Sequence, residues 1–324
     1  MAHAAAGHAG EREDAADGES ADEPPGRCVS ATGCKVNCQK PHIQDGNAYG
    51  CGHCVPCRVK KRREWTHRMM LEAAQYKDNT FCTLTYADEM LPEDMCVGPH
   101  IIQSFLKRLR KTSPKLRYFA SGEYGDIAGR PHYHLALFGY PNCYNSRTQQ
   151  LFQTCCAPCQ NVKKAWGKGA IELAPLEPGS MAYVAGYINK KMTKKDDPRL
   201  EGRLPEFARM SLRPGIGYGL MHDLASTLME YELDVSLVDV PIVLQHGKLQ
   251  YPLGRYLRRS LRKMLGRDPN TPKEALDAAR EKLRPLREDA YNHSKPFKTA
   301  ILENSLGRRI QIEARQKRQR KTHL

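Results

Sequence analysis

The stretch Arg130-Pro131-His132-Tyr133-His134-Leu135-Ala136-Leu137-Phe138-Gly139 constrains this chain more than any other. Two histidines flank one large apolar residue, and an apolar run ending in glycine follows. Read as a strand, the stretch places His132, His134, Ala136 and Phe138 on one face and Tyr133, Leu135 and Leu137 on the other. Two residues rise roughly 6.6 Å along a strand, so imidazoles at that spacing on one face can converge on a single metal ion. Taken alone, the same pattern also reads as an amphipathic strand with two polar positions.

The 324 residues carry a net charge of +15, which favours a polyanionic partner, most often nucleic acid. Aromatic residues make up only 7%, which argues against a stacking surface along the whole chain. No apolar run reaches the roughly 18 residues a membrane span needs. Residues 1–26 are rich in Ala, Gly, Glu and Asp and lack a basic start and an apolar core. They read as a disordered acidic tail, not a secretory signal. Without such a signal the twelve cysteines are expected in a reducing cytosol, where clustered thiols bind metal or stay reduced.

Residues 27–58 form a cysteine-rich knuckle. Cys51, Cys54 and Cys57 have the spacing of thiolates that fold back on one cation, with Gly52 and Pro56 in the turns. A structural Zn²⁺ needs a fourth ligand, for which Cys38, His53 and Cys28 are the candidates, and an iron–sulfur cluster is the other option. From Arg58 to Tyr76 no Gly or Pro intervenes, and Trp65, Met69 and Ala73 recur at helical spacing behind a basic start. Phe81–Tyr86 reads as a strand, Ile101–Lys111 as a helix and Leu116–Ala120 as a second strand that leads to Glu123. A short loop then reaches the histidine strand, so these two strands should pair antiparallel and bring Glu123 near His132. One glutamate and two histidines make a three-ligand set with open positions.

Residues 144–169 read as a loop holding Cys155, Cys156, Cys159 and Trp166, with no function assigned to its thiols. Residues 170–173 read as a strand. A helix over 180–191, capped by Ser180, projects Tyr183 and Tyr187 from one face with Lys190 about a turn beyond. A phenol can attack phosphorus when cations stabilise the phenolate, although a tyrosine pair at this spacing also packs as plain core. The Pro214-Gly215-Ile216-Gly217 loop can offer backbone amides to phosphate, but no nucleotide-binding P-loop occurs. Residues 235–251 read as a hairpin near Gly247, 253–265 as a basic helix and 272–286 as another helix. Residues 301–324 form a basic tail, disordered or folding on DNA.

Together these pieces resemble the HUH endonucleases, the rolling-circle initiators and relaxases. Within them the chain is similar to the replication initiators of small single-stranded DNA phages, the gokushovirus branch of the Microviridae. The matching stretches are Cys51–Cys57 with Glu64-Trp65, Phe81–Tyr86, Gly122-Glu-Tyr-Gly125, Arg130-Pro-His-Tyr-His134, Tyr183-Val-Ala-Gly-Tyr187 with Lys190-Lys191, and Met210–Gly217, with an echo at Gly254-Arg-Tyr256. The acidic N-terminus and the Cys155/Cys156/Cys159 group depart from the pattern.

The resemblance implies an α+β, HUH-type fold: a central antiparallel sheet of about five strands with the histidines on a central strand and the tyrosine helix packed on that face. The core should span 59–220, followed by a helical accessory region over 221–300. It also implies Mg²⁺ or Mn²⁺ on His132, His134 and Glu123, with the two imidazoles favouring Mn²⁺. Tyr187 and Tyr183 would be nucleophiles and Lys190 their cation, with Tyr187 acting first. The substrate would be phage origin DNA, single-stranded or in the supercoiled replicative form. A host helicase and DNA polymerase would act beside it in the bacterial cytoplasm. Two other readings stay open on the sequence: a zinc-knuckle nucleic-acid-binding protein without catalysis, and a phosphodiesterase that uses activated water.

Overall fold

The computed structural model describes residues 37–113, 115–125, 128–144, 156–187 and 198–321. The acidic segment 1–26, Cys28, Cys155 and Lys190 lie outside the described residues. The fold is α+β. Its centre is a five-stranded sheet formed by β3 (Asn79–Thr85), β4 (Arg117–Tyr124), β5 (Pro131–Phe138), β6 (Ile171–Pro175) and β7 (Phe207–Met210), in the order β6-β3-β5-β4-β7. Every neighbouring pair is antiparallel. The histidine strand β5 therefore lies in the middle, hydrogen-bonded on both edges.

The period-2 pattern explains why both faces of β5 are covered. Tyr133, Leu135 and Leu137 join the core formed with α2 (Pro99–Leu109) and α3 (Ala157–Trp166). Ala136 and Phe138 join the opposite core, built from α1 (Val55–Ala73) and α4 (Pro178–Tyr187). The apolar alternation runs the length of the strand, so its register is strongly specified: a one-residue slip would send each set to the wrong face. Only His132 and His134 interrupt the apolar face, at the end of β5 that the tyrosine helix reaches.

Several elements differ from the sequence expectations. The thiol-rich stretch read as a loop contains α3, which carries Pro158 in its first turn, Gly167 as a left-handed cap (φ 62°) and Val162, Ala165 and Trp166 on its buried face. Helix α4 begins at Pro178, so Ser180 sits inside its first turn and exchanges two 2.9 Å hydrogen bonds with the Glu177 backbone. Proline has no amide to leave unsatisfied and suits that start. The helix expected over 272–286 is two, α8 (Lys273–Glu281) and α9 (Arg284–Asn292), and Pro285 opens the second. The basic tail continues as α11 (Leu306–Lys321), which packs on α1 and on α10 (Phe297–Asn304).

The N-terminal and C-terminal regions share a core. Cys38 and Ala48 pack with Leu283 and Ile301, and Cys51, Cys54 and Cys57 lie against the same cluster. Ala48 belongs to a hairpin of β1 (His42–Gln44) and β2 (Asn47–Tyr49). Asp45 and Gly46 turn it with φ of 50° and 72°, the left-handed pair a two-residue loop demands. The second hairpin expected near Gly247 is present as β8 (Val243–His246) and β9 (Leu249–Pro252), followed by the basic helix α7 (Gly254–Met264). No helix among the described residues is long and apolar enough to cross a membrane.

Candidate active site

The pairing of β4 with β5 sets Glu123 directly opposite His132 and Ser121 opposite His134. Partners in an antiparallel register point to the same face, so one carboxylate and two imidazoles project together. Glu123 is 1% exposed. Its Oε1 lies 2.7 Å from His132 Nε2 and 2.6 Å from His134 Nε2. The ligand atoms of all three residues fall within 4.8 Å of one another.

The hydrogen bonds behind these rings fix their chemistry. His132 Nδ1 lies 3.1 Å from the Arg130 carbonyl. A carbonyl can only accept, so Nδ1 carries the proton and the neutral ring turns its Nε2 lone pair toward Glu123. A lone pair facing a carboxylate oxygen repels it unless a proton or a cation lies between them. His134 Nδ1 meets the Thr83 hydroxyl at 3.2 Å, which orients that ring in turn. Rings held from behind, with their inner nitrogens converging on a buried carboxylate, are the arrangement a metal site requires. The donor set therefore fits a divalent ion.

Aromatic rings frame this centre. The His134 ring lies nearly parallel to those of Phe81 and Tyr187, with centroids 5.6 Å away in both cases and planes 10° and 12° apart. Tyr183 meets His134 edge-on at 5.2 Å and Tyr187 at 5.0 Å. The four-residue spacing thus brings both phenols to the histidines, but not equivalently. Tyr183 is 42% exposed, whereas Tyr187 is half-buried. Burial, and then the Glu123 charge, push the Tyr187 phenol well above its ordinary range.

Three neighbours escaped the sequence reading. Glu172 pairs across the sheet with Thr83, so it stands on the histidine face. Burial raises its carboxyl, and His134 acts in the opposite direction. The signal was available, because Ile171 and Leu173 both turn to the other face. Thr83 itself was read only as part of a strand. Arg62 of α1 lies against α4, its stem 3.7 Å from the place a Cβ on Gly186 would occupy. A cation thus borders the tyrosine helix, and burial lowers its affinity for the proton.

The thiols of Cys38, Cys51, Cys54 and Cys57 also lie within 4.8 Å of one another. Cys38, rather than His53, completes this group. Backbone amides of Lys40 and Cys51 donate to Cys38 Sγ at 3.3 and 3.2 Å, and that of Cys54 donates to Cys51 Sγ at 3.4 Å. Amides aimed at sulfur stabilise negative charge there. Cys57 hydrogen-bonds Cys54 and draws its thiol down to about 4, while burial pushes Cys38 up to about 11. Four thiols at this spacing, already biased toward thiolate at Cys54, fit a closed tetrahedral metal site.

The Pro-Gly-x-Gly loop does not offer its amides to a ligand. The Gly217 amide donates to Glu72 Oε2 at 2.7 Å and the Gly215 amide to the Tyr256 hydroxyl at 2.9 Å. The separate Gly254-Arg-Tyr256 stretch is thereby joined to the loop, since Tyr256 holds it.

Residues 79–192 match the family model of the phage replication-associated protein ORF2. Over 182 residues the chain is 36% identical to "Replication-associated protein ORF2" of Spiroplasma virus 4, a match covering 52% of this chain and 56% of the relative. It is 31% identical over 165 residues to "Replication-associated protein VP4" of Bdellovibrio phage phiMH2K, covering 46% and 50%. It is 26% identical over 248 residues to "Replication-associated protein ORF4" of Chlamydia phage 1, covering 72% and 58%. The chain thus spans between half and three-fifths of the length of these relatives. No solved structure matches it. The family match runs from β3 through the tyrosine helix and takes in both histidines and their glutamate, so over that segment the chain belongs with the ORF2 family of replication-associated proteins.

Proposed function

We propose that this chain initiates rolling-circle replication of a phage genome as an HUH endonuclease, nicking one strand at the origin and later rejoining the ends. The observation that carries the reading is the meeting of Glu123, His132 and His134 beneath two tyrosines one helical turn apart. The central position of β5 and the match to the ORF2 family support it.

The chemistry follows from these residues. The Tyr187 hydroxyl attacks the scissile phosphorus and loses its proton. A bond forms between Tyr187 Oη and the 5′ phosphate, and the bond to the 3′ oxygen breaks. The freed 3′-hydroxyl primes a host polymerase behind a host helicase. After one round Tyr183 cuts the regenerated origin. The released 3′-hydroxyl then attacks the first phosphotyrosine, closing a circle of single-stranded DNA. Each ester exchanged is a phosphodiester of similar energy, so no nucleotide hydrolysis is needed. Glu123, His132 and His134 would hold Mg²⁺ or Mn²⁺, which supplies charge to polarise the phosphate. Lys190 and Arg62 supply cations beside the phenols. The basic surface holds phosphates, and the four-cysteine knuckle holds Zn²⁺ for stability. The work takes place in the cytoplasm of the bacterial host. In this reading 59–220 is the endonuclease core, 27–58 its knuckle, 221–300 an accessory region and 301–324 a basic extension.

The test is to incubate the chain with single-stranded origin oligonucleotide and Mn²⁺ and to look for a protein–DNA adduct that survives denaturant. The expected result is an adduct that disappears when both tyrosines are changed to phenylalanine. Cleavage by that double variant would overturn the reading in favour of water as nucleophile. Binding without cleavage by the wild-type chain would reduce the protein to a nucleic-acid binder.

A further inference from the structure

On the opposite face of the sheet from the histidines, Cys143, Cys156 and Cys159 bring their sulfurs within 4.8 Å of one another. The chain order gives no hint of this: Cys143 follows β5, whereas Cys156 and Cys159 open α3. Cys156 is the N-cap, in extended geometry (φ −147°, ψ 165°), and Cys159 sits in the first turn after Pro158. Their sulfurs are 3.4 Å apart. That is far beyond the roughly 2.05 Å of a disulfide, and none of the three forms one.

The spacing suits a different bond. Zinc–sulfur bonds of about 2.3 Å at tetrahedral angles set neighbouring sulfurs about 3.8 Å apart. Cys143 and Cys159 are buried at 4% and 0% exposure, while Cys156 is half-buried. Two ligands thus lie on the dry side and one at the rim, where a fourth position opens toward water. Burial alone does not gather thiols: Cys82 is just as buried and stands outside the group. The surroundings are anchored independently. The Tyr140 hydroxyl donates to the Pro158 carbonyl at 2.8 Å, and at the far end of α3 the Trp166 indole donates to the Thr85 carbonyl at 2.8 Å.

We propose that Cys143, Cys156 and Cys159 form a second zinc site, separate from the four-cysteine knuckle. It ties the chain after β5 to the start of α3 and so fixes the helix that backs the histidine strand. Binding releases the three thiol protons to solvent and forms three zinc–sulfur bonds; nothing is oxidised or reduced. The site does not depend on the proposed nicking activity.

The experiment uses the full chain, purified under reducing conditions with zinc. Metal analysis of wild type against Cys143→Ser/Cys156→Ser/Cys159→Ser should show a loss of about one zinc per chain, with the knuckle's metal retained. A second measurement needs only the wild-type protein. Cys156, at the rim, should resist alkylation in the zinc-loaded chain and become labelled once a chelator strips the metal, as read by peptide mass spectrometry. Unchanged zinc content in a folded triple variant would overturn the proposal. So would equal labelling of Cys156 before and after chelation, or recovery of Cys156 and Cys159 as a disulfide from the reduced, zinc-loaded preparation.

Discussion

The Tyr187 ring lies parallel to the His134 imidazole, 5.6 Å away, while Tyr183 meets the same imidazole edge-on from a more exposed position. Two tyrosines that look interchangeable in the sequence therefore differ in what surrounds them. Tyr187 sits within reach of the Glu123 charge, and Tyr183 faces outward, where an incoming strand arrives.

That difference orders the two chemical steps. Tyr187→Phe should abolish the first covalent adduct, lowering it by roughly 10³-fold or more, since a lost nucleophile leaves only binding and electrostatics. Tyr183→Phe should keep a single adduct on linear origin DNA but fail to release closed circles. Denaturing gels of both variants on one substrate decide the matter. A Tyr187→Phe protein that still forms the first adduct at the wild-type rate would reverse the order.

His132→Ala should separate cleavage from binding. Removing one of three converging ligands should cut the cleavage rate by roughly 10²–10³-fold. Affinity for single-stranded DNA should stay within about threefold, because phosphate contacts made elsewhere supply it. The check is a binding titration over a series of salt concentrations beside a cleavage assay with Mn²⁺. A parallel collapse of binding would assign the histidine to folding instead.

How far the sequence could foretell this centre depended on distance along the chain. The faces of β5 followed from its own period of 2. The Glu123–His132 pairing followed from the short connection between β4 and β5. Glu172 and Thr83 could not be placed that way, because β6 pairs with β3 across nearly ninety residues of intervening chain, and local pattern carries no register over such a separation. The amides of the Pro-Gly-x-Gly loop posed the same problem, since their partners Glu72 and Tyr256 lie far away in sequence. Helix α3 and the Asp45-Gly46 turn were different. Their signals, Pro158 with Gly167 and an Asp-Gly pair, were local and legible, but the neighbouring cysteines drew the reading toward loop and knuckle.

His67 gives the fold a dependence on pH. The ring is fully buried, and burial lowers its pKa to about 4 from an ordinary 6.5. Its Nδ1 faces the Pro252 carbonyl at 2.9 Å, so Nδ1 donates and Nε2 must accept from His246, also at 2.9 Å. Tyr251 and Arg63 complete the surroundings. Protonation would turn that acceptor into a donor and charge a dry site. Between pH about 6.5 and about 4 the unfolded chain binds this proton and the folded chain does not. Stability is therefore full above the window and falls as the pH drops through it, by about 3 kcal/mol in all. Urea unfolding of wild type and His67→Gln at pH 7.5, 6 and 5 measures the effect. The variant should show the flatter dependence, and equal slopes would remove His67 as the cause.

Glu72 should be among the costliest side chains to remove outside the active site. It is 2% exposed, and its two oxygens take separate partners: the Arg117 guanidinium and the Gly217 amide. Arg117 also donates to the Pro214 carbonyl at 2.7 Å. Arg68, lying 4.1 Å from the Trp65 ring and 4.5 Å from that of Tyr256, donates to the Ile216 carbonyl at 3.0 Å. Through these bonds α1, β4 and the loop after β7 are held as one unit. Glu72→Ala would leave a partly buried guanidinium and a buried amide without their acceptor, at a cost of about 3–5 kcal/mol. Glu72→Gln keeps the volume and one acceptor and should cost less, about 1–3 kcal/mol. In the double variant Glu72→Ala/Arg117→Ala the penalty should fall short of the sum of the singles, since the unpaired charge is gone. Chemical unfolding of the four proteins closes that cycle, and strict additivity would show that the two residues stabilise the fold independently.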